Sequence, residues 1–83
     1  TETGRLIGER CGRTLKRSCL ELGGKNAAIV LADANLDLAV DGLVWGAFGT
    51  SGQRCTATSR IIVERGIHEE LLERLIAKAK TLK

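Results

Sequence analysis

One thiol stands in a setting suited to chemistry. Cys55 directly follows an arginine in the stretch Gly49-Thr50-Ser51-Gly52-Gln53-Arg54-Cys55-Thr56. A cysteine attacks as its thiolate, and a neighbouring guanidinium favours that form. Gly52 permits an unusual backbone angle or the close approach of a ligand. Upstream by 34 positions lies Glu21, which opens the stretch Glu21-Leu22-Gly23-Gly24-Lys25-Asn26. A thiol that attacks a carbonyl and a carboxylate that deprotonates water, sharing one cleft, are the minimal outfit for covalent acyl transfer. Blander readings fit the same residues. A structural cysteine in a helix-to-strand loop accounts for Cys55 equally well, and an exposed glutamate before a plain Gly-Gly turn accounts for the upstream stretch.

Other chemistries are poorly supplied. Cys11, Cys19 and Cys55 lack the CxxC spacing of a zinc site, and His68 is the sole imidazole, so no metal role is assigned. His68 heads an amphipathic pattern remote from Cys55, where a cap or surface role suits it better than a Cys–His pair. Gly23-Gly24-Lys25 has no Walker spacing to cradle a phosphate.

The elements that must position Cys55 and Glu21 follow from periodicity. Residues 5–17 carry Leu6, Ile7, Cys11 and Leu15 at helical spacing, with Thr1 or Thr3 available as a cap. Cys11 on that stripe reads as a small buried hydrophobe. Residues 18–22 alternate as a short strand, Leu20 and Leu22 on one face, Cys19 and Glu21 on the other. The run Ala27 to Ala32 is apolar without alternation, the pattern of a strand covered on both faces in a parallel sheet. Asp33 and Asn35 offer cap chemistry for a helix carrying Leu36, Ala39, Val40, Leu43, Val44, Ala47 and Phe48 on one stripe. Gly42, Gly46 and Gly49 form an adjoining stripe, predicting close approach of another backbone, and Trp45 reads as a packing anchor. A β-branched strand, Arg60 to Glu64, follows the cysteine loop, and Ile67 to Leu82 form a last amphipathic helix with acids first and lysines last. The class is α/β, built on a right-handed βαβ crossover with parallel strands.

Composition bounds the partners. The chain has 83 residues, 43% of them hydrophobic, with no proline and two aromatics, thin material for a core. A net charge of +3 with basic residues lying on a helix, and no interleaved aromatics, argues against nucleic acid. No run is long and apolar enough to span a membrane. An odd number of unrelated cysteines suits a reducing, cytoplasmic compartment. The start lacks a methionine and the last helical pattern reaches Lys83 without a stop signal, so a segment of a larger protein is expected.

Two motifs carry a resemblance. Glu21-Leu22-Gly23-Gly24-Lys25-Asn26 and Gly52-Gln53-Arg54-Cys55, at this separation, resemble the paired active-site signatures of the NAD(P)-dependent aldehyde dehydrogenase superfamily. Ala32 to Ala39 is similar to the same family, and Thr1-Glu2-Thr3-Gly4 is similar to the end of its Gly-Ser-Thr-x-x-Gly turn. The resemblance implies an enzyme that oxidises an aldehyde to a carboxylic acid with NAD or NADP. By this resemblance Cys55 matches the nucleophile and Glu21 the general base that hydrolyses the thioester. The Cys55 N–H would supply half of an oxyanion hole. Leu22 and Gly23 match backbone against the nicotinamide, and Thr1 to Gly4 would begin the helix that faces the pyrophosphate. Residues 1–22 would end the cofactor-binding domain and residues 23–83 would open the catalytic domain of a homo-oligomeric enzyme. The chain departs from the pattern at Thr50-Ser51, where many members carry Asn-Gln.

Overall fold

A computed structural model describes residues 1–83. Helix α1 (Glu2–Arg13) is followed by irregular chain. Strand β1 (Asn26–Val30), helix α2 (Leu36–Phe48), strand β2 (Thr58–Val63) and helix α3 (His68–Ala79) complete the order. Strands β1 and β2 pair in parallel, so the expected β-α-β crossover is present.

Asn35 starts α2 as a side-chain cap: its Oδ1 accepts from Asp37 N at 3.1 Å and Leu38 N at 3.2 Å. The apolar stripe of α2 then lies on one face of the strand pair. Val30, Val40, Leu43, Val44 and Leu71 are the buried hydrophobic residues, so β1, α2 and α3 meet in one small core. Ala28, Ile61, Val63, Ile67 and Leu75 pack around it. Across the rim, Arg74 on α3 donates to Asp37 on α2 and to Glu70, both at 2.6 Å. Its hydrogen bond to Glu70, then the charges of Glu70 and Asp37, raise its pKa and keep it cationic.

The opposite face of the sheet is open. Ile29 and Ile62 are register partners and remain 70% and 55% exposed. The apolar run from Ala27 to Ala32 therefore has cover on one face, not on both. It also leaves the sheet early, because Ala32 N donates to the Glu64 carboxylate at 2.7 Å rather than to a strand. Helix α1 is likewise unpartnered along its apolar stripe, Leu6 being 60% and Ile7 47% exposed. Cys11 is half-buried.

Several expected elements are corrected. Residues 18–22 form no strand; they have no neighbouring strand in the chain to bond with, and an isolated extended segment leaves its backbone to solvent. Leu20 and Leu22 do share a face, since both side chains touch α1 at Gly8 and Gly4. Helix α1 stops at Arg13 because the chain turns into a left-handed conformation at Leu15 (φ 54), which is 96% exposed. Helix α3 ends at Ala79, short of Leu82. The radius of gyration is 17.9 Å against about 12 Å for a compact domain of this length. The excess arises from α1 and its following arm, which stand apart from the βαβα body.

Candidate active site

Cys55 is exposed and lies on the loop between α2 and β2. Two tight turns set it there. Helix α2 runs into a 3-10 turn (Gly49–Gly52) in which Thr50, Ser51 and Gly52 are all left-handed, with φ of 53, 55 and 66°. Left-handed non-glycine residues cost about 1–3 kcal/mol each and persist only where surroundings hold them. Gln53 N donates to Thr50 O at 3.0 Å, closing this turn. The next turn closes from Ala57 N to Arg54 O at 2.9 Å and presents Cys55 as its second residue. The Cys55 N–H donates to no backbone group in the chain, so it is open to an incoming oxygen.

The upstream motif meets this loop. Asn26 Nδ2 donates to the Cys55 carbonyl at 2.6 Å, and a Cβ on Gly24 would lie 3.5 Å from the same oxygen. Arg60 on β2 donates to Lys25 O at 2.7 Å, fixing the Gly-Gly-Lys stretch from the other strand. The strand register slips here, Asn26 facing Thr58 and Ala27 facing Arg60, so Ser59 is an extra residue beside the site. Asn26 is the contact sequence reasoning missed as a separate role. Its signal was a carboxamide at the boundary between the glycine turn and an apolar strand, a position where most side chains have nothing to bond.

Glu21 is exposed, on the irregular arm, and makes none of the chain's ion pairs. Leu22 is 40% exposed and covers Gly4, where a Cβ would come within 2.9 Å of its Cδ2. Gly4 is the one buried residue of α1, and only glycine lets Leu22 lie so close. A Cβ on Gly23 would meet nothing within 4 Å, leaving an open strip of backbone beside Leu22. Thr1 occupies the cap position of α1 without a side-chain hydrogen bond, and the first helical bond is Arg5 N to Thr1 O.

The arginine beside the thiol does something other than expected. The Arg54 guanidinium turns back onto α2, lying 4.0 Å from the Trp45 ring centroid and donating to Trp45 O at 2.9 Å and Gly46 O at 3.4 Å. Its Nε is left buried without an acceptor. Trp45 is 68% exposed within these 83 residues, and its ring forms a plate for the guanidinium. The glycine stripe of α2 meets side chains, not a second backbone: a Cβ on Gly46 would clash with Thr58 Oγ1 at 2.7 Å and one on Gly49 would press Arg54 Nη2 at 3.1 Å. Gly42 faces open space. His68 pairs only with its neighbour Glu69, at 2.9 Å, as a surface residue.

A loop cysteine thus stands beside a glycine-rich turn at one end of a parallel βαβ unit. The aldehyde dehydrogenase family model matches residues 1–83, and the chain belongs to that family. It is 50% identical over 82 residues to a benzaldehyde dehydrogenase [NAD(+)] of Pseudomonas putida, covering 99% of this chain and 17% of that protein. Among solved structures, an aldehyde dehydrogenase from Brucella melitensis biovar abortus 2308 superposes with a TM-score of 0.93 at 46% identity, over 99% of this chain and 17% of that one. PnpE in complex with nicotinamide adenine dinucleotide does so with a TM-score of 0.93 at 49% identity, over 98% and 17%. The chain therefore spans less than a fifth of the length of these relatives.

Proposed function

We propose that this chain carries the nucleophile and the hydrolytic base of an NAD(P)-dependent aldehyde dehydrogenase, within an enzyme of the length its relatives have. The observation that carries the reading is the junction of the two motifs. Asn26, which ends the Glu21–Asn26 stretch, donates to the carbonyl of Cys55 at 2.6 Å, and this contact supports reading the two motifs as parts of one site. Family membership supplies the reaction class.

A nicotinamide dinucleotide fits the residues. The N–H groups at the start of α1, from Thr1 to Gly4, suit a pyrophosphate, because a helix N-terminus carries partial positive charge. Leu22 and the uncovered backbone at Gly23 leave room for the nicotinamide to approach. When bound, the cofactor accepts the hydride.

The chain's own residues carry the remaining steps. The Cys55 thiolate adds to the aldehyde carbon, forming a C–S bond and a tetrahedral thiohemiacetal whose oxygen takes the negative charge. The open Cys55 N–H donates to that oxygen. Collapse of the oxyanion expels hydride from carbon and leaves a thioester on Cys55. Glu21 then takes a proton from water, the hydroxide equivalent adds to the thioester carbon, and the C–S bond breaks to release a carboxylic acid and the thiolate. An enzyme that passed the acyl group to coenzyme A would need no such base.

Residues 1–22, which stand apart from the body, belong on this reading to the cofactor domain, and residues 23–83 to the catalytic domain of a homo-oligomer. The open faces of α1 and of the sheet agree with such partners. The three free cysteines suit a reducing cytoplasm, and no helix is long and apolar enough to cross a membrane. The test is turnover by the complete enzyme with a panel of aliphatic and aromatic aldehydes and either cofactor. Cys55→Ala should abolish formation of reduced cofactor, and persistence of turnover would refute the reading.

A further inference from the structure

The geometry points to Arg54 as a positioning residue that holds the Cys55 loop in its attacking pose by clamping it to α2 through Trp45; the inference rests on the reading of Cys55 as nucleophile. The loop needs such a hold. Thr50, Ser51 and Gly52 are left-handed in succession, and their local bonds, Thr50 Oγ1 to Gly49 O and Gln53 N to Thr50 O, stay within the turn itself. Nothing in those bonds fixes where the far end of the turn points. The far end is Arg54, bonded covalently to Cys55, and its side chain reaches back to the last turn of α2.

The slot it enters is built on three sides. The Trp45 ring forms a face 4.0 Å from the guanidinium carbon, the carbonyls of Trp45 and Gly46 accept at 2.9 and 3.4 Å, and Gly49 leaves the space that a Cβ would take 3.1 Å from Nη2. The last carbonyls of a helix are its negative end, so the cation is held by charge as well as by hydrogen bonds. A planar guanidinium stacks on a ring and donates in its own plane at once, which an ammonium cannot do. Asn26 holds the other flank of Cys55 at its carbonyl. The backbone that carries the thiol is therefore held from α2 through Arg54 and from β1 through Asn26.

The clamp is tested in the complete enzyme with Arg54→Met, Trp45→Leu and Trp45→Phe. The readouts are the rate of the pre-steady-state burst of reduced cofactor, KM for the aldehyde, the pH profile of iodoacetamide alkylation at Cys55, and the thermal unfolding midpoint. Arg54→Met and Trp45→Leu should slow the burst about 10–100-fold with KM little changed, since a misplacement on the order of 1 Å costs that much, and should leave the pH midpoint of alkylation where it is in the wild type. Trp45→Phe, which keeps an aromatic face, should restore most of the rate. Should Arg54→Met fail to fold, Trp45→Leu carries the same test with the arginine intact. Wild-type burst rates in the foldable variants would overturn the clamp while leaving the nucleophile reading standing. An alkylation midpoint moved to higher pH in Arg54→Met would overturn it too, since Arg54 would then act by charge on the thiol. A Cys55→Ala enzyme that still turned over would overturn both.

Discussion

Gly52→Ala should disable the enzyme without unfolding it, and the structure fixes why. Gly52 has φ +66°, and a Cβ built there would sit 2.9 Å from the carbonyl oxygen of Ala47. The left-handed backbone alone costs an L side chain about 1–2 kcal/mol. The contact adds to this, because its partner is backbone in the last turn of α2 and cannot rotate away. A combined penalty of about 2–3 kcal/mol corresponds to a roughly 30–150-fold loss of the observed loop conformation. The rest of the molecule keeps its core, since Val30, Val40, Leu43, Val44 and Leu71 lie elsewhere. The burst rate should therefore fall by about that factor, with thermal unfolding little changed. Gly66→Ala is the control: a Cβ there meets nothing within 4 Å and its φ is not left-handed. Equal activity of the two variants would refute the idea that this loop conformation presents the thiol.

Leu71→Ala removes the most buried side chain, 2% exposed, from the α2–α3 contact and should cost about 2–5 kcal/mol, lowering the thermal midpoint far more than Leu72→Ala, whose side chain is 42% exposed. Glu21→Gln should leave the burst intact and slow steady-state turnover about 10²–10⁴-fold, because only deacylation needs water activated; loss of the burst as well would place Glu21 in acylation. Residues 1–83 produced alone should be inactive and self-associating, given 6 buried residues of 83 and open apolar faces at Ile29, Ile62, Leu6 and Ile7. A cooperative unfolding transition of a sedimentation monomer would contradict that expectation.

Local patterning was legible where the chain supplies its own partner. The stripe of α2 and the Asn35 cap could be read because burial against β1 and β2 enforces the same period that the sequence shows. Parallel pairing followed from the helix between the strands. Residues 18–22 read as a strand but are not one, because alternation reports facing, which Leu20 and Leu22 do share, whereas strand formation needs a neighbour's hydrogen bonds. The contact between Trp45 and Arg54 was not legible. Helical spacing cannot reveal that a side chain nine positions downstream will fold back onto a helix end. Cys55 and the Glu21–Asn26 stretch were legible as motifs, yet the bond from Asn26 that joins them spans 29 positions and no local pattern encodes it.

The central claim is that the acyl group of the aldehyde passes through Cys55. The most direct measurement is peptide mass mapping of the complete Glu21→Gln enzyme, quenched in acid during turnover with an aldehyde and NAD. The peptide carrying Cys55 should gain the mass of the acyl group in proportion to the burst, and hydroxylamine should remove it, as it cleaves a thioester. Acylation at Cys11 or Cys19, or a full burst with Cys55 unmodified, would contradict the account.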